Sequence, residues 1–170
     1  MELLVIRHAI AVSGSMILAD ADRPLSPQGR ARFTQAVMGL QRLGVRCDRL
    51  YHSPWLRAVE TAALLGPVLD GEAVCSPALA RPPSQDLLDA LVGERVALVG
   101  HQPWLGELVA WLTTDMQPDG SVFAFKRGGV AWLEGRPKPG RMALRAFLPP
   151  KVLRVLGGGH HSEASSCFSR

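Results

Sequence analysis

Residues 1–12 read MELLVIRHAIAV, and the fold turns on how this stretch is divided. Leu3–Ile6 is an unbroken apolar run with no polar alternation. Such a run suits a strand buried on both faces of a parallel sheet, with helices covering it above and below. The run ends on Arg7 and His8, and apolar character resumes at Ala9. Two neighbouring groups that can carry positive charge are costly at the end of a buried strand unless an anion comes to them. In open parallel sheets, ligands bind at the carboxyl ends of the strands, near a switch in strand order. The stretch therefore predicts both a parallel α/β sheet and a polar site where its strands surface.

The rest of the chain alternates short apolar runs with helical patterns, as α/β layering requires. SPQGRARFTQAVMGLQRLG (26–44) reads as a helix. Ser26 is the expected N-cap, Pro27 takes the first helical position, and Gly44 ends the pattern. A short strand at Asp48–Tyr51 leads into SPWLRAVETAALLGPVL (53–69), which again opens Ser-Pro and is expected to be capped by Ser53. Ala73–Cys75 reads as a short strand, PSQDLLDALV (83–92) as a short helix, and Arg95–Gly100 as a central strand. A further helix opens at Pro103, and 113–120 is a polar loop. GVAWLEG (129–135) and MALRAFL (142–148) form a hairpin around the turn-rich RPKPG. The predicted architecture is a three-layer α/β/α sandwich with a mainly parallel central sheet and an antiparallel edge strand. Residues 1–156 form one domain, and the Gly/Ser/His-rich 157–170 is expected to be a flexible tail.

At 170 residues the chain suits a single domain with a real core. Its net charge of +4 comes with arginines scattered along the sequence. A nucleic-acid binder would show a basic stripe with interleaved aromatics, so no nucleic-acid partner is expected. Cys47, Cys75 and Cys167 form no CxxC pair, which fits a reducing compartment. Glu2, Arg7 and His8 break any signal-peptide reading. No apolar run approaches the ~20 residues of a membrane span. The expectation is a soluble, cytoplasmic protein without a membrane partner. His160-His161 lacks convergent partners, so no metal site is expected.

Three segments deliver polar residues to strand ends: Arg7-His8, His52 to Arg57, and His101-Gln102. Arg57 falls near a helix start, where the helix dipole disfavours a cation; a bound anion reverses that argument. Taken singly, Arg57 is as readily paired with Glu60, and His101 is as readily structural. Taken together, two imidazoles and two guanidiniums converge on one tetra-oxygen anion. Trp55 and Trp104 are expected to pack against the sheet or to rim the pocket, with core packing the preferred reading, and His52 stays outside the core site.

RHA (7–9), ADADRPLSPQG (19–29), SPWLRAVETA (53–62) and VGHQPWL (99–105) form an ordered set. That set resembles the histidine phosphatase superfamily, and within it is most similar to the SixA-type phosphohistidine phosphatases. FKRGGVAWL (125–133) and LPPKVLRVL (148–156) are similar to that branch too. The resemblance implies a phosphoglycerate mutase-like fold in which His8 is the nucleophile and becomes phosphorylated. It implies that Arg7, Arg57 and His101 hold the phosphoryl oxygens, with no metal and no other cofactor. In this scheme His8 is neutral and His101 is preferably cationic. Asp22, Arg23, Glu60 and Gln102 are candidates for support. Asp22-Arg23 would anchor the loop and pack Pro24-Leu25, and Glu60 would either orient Arg57 or stand on the helix surface. The implied partner is a phosphohistidine-bearing protein, such as a histidine phosphotransfer domain or a phosphocarrier protein, with inorganic phosphate as product.

One departure bears on substrate. Many branches of the superfamily place an acid after the third strand to protonate an alcohol leaving group. Here SPALARPPSQD (76–86) offers none between Ala78 and Pro83, and Asp86 reads as an early-helix residue. An alkoxide leaves poorly without a proton, whereas imidazole leaving a P–N bond needs less help. The expectation is a phosphohistidine phosphatase working through phospho-His8. The alternative is a small-molecule phosphomonoesterase of the same superfamily, which would need a general acid and a larger cap. Short connections and no lid predict a shallow site. Cys75–Arg81 has the spacing of a cysteine-phosphatase loop, but Pro77 removes a backbone donor and Pro82-Pro83 blocks the helix that should follow.

Overall fold

The apolar run Leu3–Ile6 lies within β1 (Glu2–Arg7) of the computed structural model, which describes residues 1–14, 18–115 and 121–158. Its side chains divide by parity, as the period of a strand dictates. Leu4 and Ile6 enter one core, Leu3 and Val5 the other, and all four are buried. The elements that follow are α1 (Pro27–Arg42), β2 (Cys47–His52), α2 (Leu56–Leu64), β3 (Leu69–Cys75), α3 (Gln85–Asp89), β4 (Arg95–Gly100) and α4 (Trp104–Thr114). A hairpin of β5 (Val130–Gly135) and β6 (Met142–Leu148) precedes a closing helix, α5 (Pro150–Leu156).

The sheet order is β3-β2-β4-β1-β5-β6. β3, β2, β4 and β1 run parallel; β5 runs against β1, and β6 runs against β5. Antiparallel pairing is therefore confined to one side of a mainly parallel sheet. The first core sets α1, α2 and α5 on one face through Phe33, Val37, Leu40, Ala62 and Leu153. The second sets α3 and α4 on the other through Leu87, Leu88, Leu105, Leu108 and Leu112. The result is three layers, α/β/α. Among the described residues, no helix is long and apolar enough to cross a membrane.

Several local expectations need correction. Ser26 caps α1 by accepting from Gly29 N (2.9 Å), but Ser53 does not cap α2. That helix starts at Leu56 with Trp55 as its N-cap, which leaves Arg57 the second helical residue. β3 is longer than Ala73–Cys75, and α5 was not read from the sequence. The connections are not uniformly short: the chain from His8 to Ser26 folds back on itself by a bridge between Ala11 and Leu25. It also contains a 3-10 turn at Asp20–Asp22. Residues 159–170, with His160-His161 and Cys167, lie outside the described residues, as does most of the expected polar loop at 116–120.

α5 lies tight against α1 because Gly39 of α1 and Gly157, the C-cap of α5, carry no side chain where the two meet. A Cβ added to Gly39 would sit 2.0 Å from the Leu153 carbonyl oxygen. Overpacking of this kind costs about 1–3 kcal/mol, and here backbone, not a movable side chain, must yield. Gly39→Ala should lower the urea midpoint accordingly. Gly66→Ala, where nothing lies within 4 Å of the new Cβ, should leave it within error. Equal midpoints for the two variants would refute the close α1–α5 packing.

Candidate active site

Strand register assembles the site. In the β1–β4 pair, Arg7 stands opposite Gly100, and His8 N donates to Gly100 O (3.1 Å). In the β2–β4 pair, His52 stands opposite Val99, and Ser53 N donates to Val99 O (2.9 Å). The three strands thus release Arg7-His8, Ser53 and His101 at one level. β1 and β4 are neighbours whose following helices, α1 and α4, cover opposite faces, so a crevice opens between their ends. The cleft there, about 750 Å³ including its open mouth, is lined by Arg7, His8, Asp20, Arg23, Trp55, Arg57, His101, Gln102, Trp104 and Arg127.

His8 and His101 are buried, with ring centroids 5.1 Å apart. His8 Nδ1 lies 2.7 Å from Ala9 O, which accepts only if the proton sits on Nδ1. Nε2 is then a lone pair, and Arg57 Nε donates to it at 3.2 Å. Burial pulls His8 down to about 3, the charges of His101, Arg57 and Arg7 pull the same way, and the Ala9 hydrogen bond opposes them. The ring is neutral at neutral pH, as a nitrogen nucleophile requires.

His101 is held from its other side. Its Nε2 lies 2.8 Å from Ser53 Oγ, and Ser53 is fully buried. Ser53 Oγ accepts from Trp55 N (3.3 Å), and His101 Nε2 is the one acceptor the described residues offer its hydroxyl proton. The hydroxyl therefore donates to Nε2, and the His101 proton resides on Nδ1. That Nδ1 is buried and has no hydrogen-bond partner. Burial and then the Arg57 and Arg7 charges lower His101 to about 4, with Asp20 opposing. Among the protein's own groups His101 is therefore neutral at neutral pH, where a cation was expected.

The guanidiniums are positioned by carbonyls and one carboxylate. Arg7 Nη1 donates to Phe125 O (2.5 Å), and its Nε, buried, has no partner. Burial and then the nearby Arg127 and Arg57 charges lower the Arg7 pKa. A buried donor without an acceptor costs about 1–3 kcal/mol, and Arg7 Nε is such a donor on a residue that lines the cleft. Arg57 donates to the Asp20 carbonyl and to Asp20 Oδ2 (2.9 Å), and its guanidinium carbon sits 4.5 Å from the Trp55 ring centroid. Arg23 also bonds Asp20 (2.5 Å) and reaches back to Val12 O. Hydrogen bonds from Arg23 and then Arg57 hold the Asp20 carboxyl below its usual range.

Of the residues expected at the site, Arg7, His8, Arg23, Arg57, His101 and Gln102 line the cleft, whereas Asp22 and Glu60 do not. Glu60 makes no hydrogen bond to Arg57 among the described residues; it accepts from Leu25 N (2.5 Å) and pairs with Arg30 (2.8 Å), tying the loop and α1 to α2. Gln102 donates to Phe123 O (2.8 Å). Trp55 and Trp104 line the cleft instead of packing solely in the core, with Trp55 4.3 Å from the His101 ring centroid. Asp20, Ser53, Thr61 and Arg127 were missed as site residues. Thr61, one turn beyond Arg57, accepts from Ala9 N (3.0 Å) and donates to Arg57 O (2.6 Å), tying α2 to the His8 segment. The signal for Asp20 was its spacing of three from Arg23 across a turn. Cys75 and Arg81 are exposed and outside the cleft, and Arg81 faces Asp86 at 3.8 Å. Buried Cys47 is pushed up to about 12 by its surroundings. Among the described residues, no group of three His, Cys, Asp or Glu side chains could hold a metal ion.

Comparison with known proteins agrees with this geometry. Residues 3–80 match the family model of the histidine phosphatase superfamily (branch 1). An uncharacterized protein from Picosynechococcus sp. is 36% identical over 115 residues, covering 63% of this chain and 70% of the relative. The fold is also that of the protein histidine phosphatase SixA complexed with tungstate, with a TM-score of 0.74, 23% identity, and coverage of 90% of this chain and 99% of that one. It is shared with a phosphoserine phosphatase from Entamoeba histolytica in complex with 3-phosphoglyceric acid, at a TM-score of 0.67, 17% identity, and coverage of 89% and 98%. With four motifs in order, their residues gathered in one cleft, and both a family model and a curated relative matching in sequence, this chain belongs to the histidine phosphatase superfamily.

Proposed function

We propose that the protein is a phosphohistidine phosphatase that removes phosphoryl groups from histidine on proteins through a phospho-His8 intermediate, without a metal or other cofactor. The observation that carries this reading is the state of Asp20. Among the described residues it is the only carboxylate lining the cleft, and it is tied to two guanidiniums that keep it ionised. A carboxylate held in that state has no proton to give, so an alkoxide would have to depart unaided. A phosphorylated imidazole protonated on its other ring nitrogen departs as a neutral ring and needs no donor.

In the proposed reaction, His8 Nε2 attacks phosphorus as the P–N bond to the substrate imidazole breaks. Phospho-His8 is then itself a phosphoimidazolium, its Nδ1–H still on Ala9 O. Water attacks phosphorus, the P–N bond to His8 breaks, and inorganic phosphate leaves with His8 neutral again. Both half-reactions expel the same kind of leaving group. Phosphoryl transfer is catalysed mainly by positioning and by charge on three equatorial oxygens. Arg7, Arg57 and the His101 Nδ1–H supply those donors, and Arg23 and Gln102 stand at the rim. The flat faces of Trp55 and Trp104 suit a planar heterocycle. The second reading, a small-molecule phosphomonoesterase, is favoured by the fold shared with a phosphoserine phosphatase.

Substrate comparison separates the two readings. A phosphohistidine-bearing histidine phosphotransfer domain should be turned over faster than p-nitrophenyl phosphate, and a sugar phosphate slowest. A lead for the sugar phosphate would overturn the phosphohistidine reading. Rapid acid-free quenching with a labelled donor should trap a phosphorylated enzyme in the wild type, and His8→Ala should abolish both the label and turnover, by at least about 10³-fold. An unlabelled wild type would count decisively against the covalent route.

The two imidazoles also make a pH prediction. Their folded pKa values, about 3 and about 4, lie below the ordinary value near 6.5. The unfolded chain therefore takes up protons at these positions first. The stability they contribute is complete above about pH 6.5 and is lost as pH falls toward 4. In ¹⁵N NMR, His8 and His101 should stay neutral from pH 8 to pH 5, both as Nδ1–H tautomers. A titration midpoint near 6.5 for either ring would contradict the buried, cation-flanked site.

A further inference from the structure

The chain has no Asp or Glu from Arg23 to Cys47, a span with five arginines, and none from Gly135 to Gly158. These spans contain α1 and α5, which pack together on one face of the sheet. Arginines that look scattered in sequence are thereby gathered on one side of the molecule. Arg30 and Arg46 find carboxylates on neighbouring elements. Arg32, Arg127 and Arg154 have no carboxylate within salt-bridge distance among the described residues.

Those three arginines surround a groove whose apolar floor includes Phe33, Ala36 and Pro150. Arg127 lines this groove and the catalytic cleft alike, so the two share a wall. The Lys126–Gly128 turn that carries it is fixed to the site, since Gly128 N donates to both Arg7 O (3.0 Å) and His8 O (3.1 Å). Unpaired guanidiniums grouped on one face repel one another and are relieved by an anionic partner. Arginine is also the cation that protein interfaces favour. α3, on the opposite face, carries the acidic residues Asp86 and Asp89.

We propose that Arg32, Arg127 and Arg154 form a docking rim for an acidic protein surface that carries the phosphohistidine and so presents its phosphoryl group to the adjoining cleft. The proposal rests on the phosphohistidine reading above and adds the chemistry of the partner. It places part of the recognition of the protein on Arg32 and Arg154, which do not line the catalytic cleft.

The test uses the full chain and the double variant Arg32→Glu/Arg154→Glu; Arg127 is left intact because it lines the catalytic cleft. Two substrates are compared, a phosphorylated histidine phosphotransfer domain with an acidic surface and the small molecule phosphoramidate. The double variant should lose about tenfold in kcat/KM for the protein at low ionic strength, and the gap should narrow as salt is added. Its turnover of phosphoramidate should be unchanged. Equal losses on both substrates, or no loss on either, would overturn the rim. So would RNA or anionic vesicles that bind the wild type but not the double variant while protein turnover is unaffected. A wild type that ignores the phosphoprotein and hydrolyses sugar phosphates sinks the substrate reading, and the rim with it; that failure appears in the wild type alone, whereas failure of the rim appears in the variant.

Discussion

The parallel pairing of β1 with β4 is the constraint on which the rest of the molecule depends. It sets Arg7 against Gly100, and the next residue of each strand is a histidine. A slip of one residue would turn each side chain of β1 to the opposite face and exchange the two cores. Leu3 and Val5 on one face, with Leu4 and Ile6 on the other, fix that register by burial. Placement of the two imidazoles is thus a by-product of packing four apolar side chains. The chemistry at the strand ends inherits its precision from the hydrophobic effect beneath it.

Electrostatics at the site follow from the same burial. A core that carries the strand ends inward also desolvates His8 and His101, and that desolvation is the main reason both rings are neutral. The surrounding guanidiniums then reinforce neutrality. A single constraint thereby yields two different roles. His8 keeps its lone pair on Nε2, where Arg57 Nε meets it, because Ala9 O takes the Nδ1 proton, and His101 is turned the other way because Ser53 occupies its Nε2. The distinction between them is made by their hydrogen-bond partners, not by their charge.

Local pattern carried much of the sequence reading. β1, β4 and α1 announce themselves through unbroken apolar runs, a Ser-Pro start and helical spacing. The residues at their ends could be read as convergent because strand ends in such sheets share an edge. What escaped was set by long-range contact. Ser53-Pro54 has the form of a helix cap, but the Ser53 hydroxyl is taken by a histidine 48 positions away. Glu60 sits one turn from Arg57, yet its carboxylate is used by Leu25 and Arg30 from another segment. Asp20 and Asp22 are alternatives by spacing alone, and only the fold of the turn decides that Asp20 meets Arg57. The basic face was invisible for the same reason, since α1 and α5 lie more than a hundred residues apart.

The Asp20 contact has a further consequence. A carboxylate resting on Arg57 is a tethered competitor for any anion that approaches the same guanidinium. Its own side chain is 57% exposed, so solvent reaches the pair from the Asp20 side. Competition of this kind weakens the hold on phosphate before and after reaction alike. A pocket built only of cations would retain its product; one with an internal rival is shaped for turnover, giving up affinity in exchange for release.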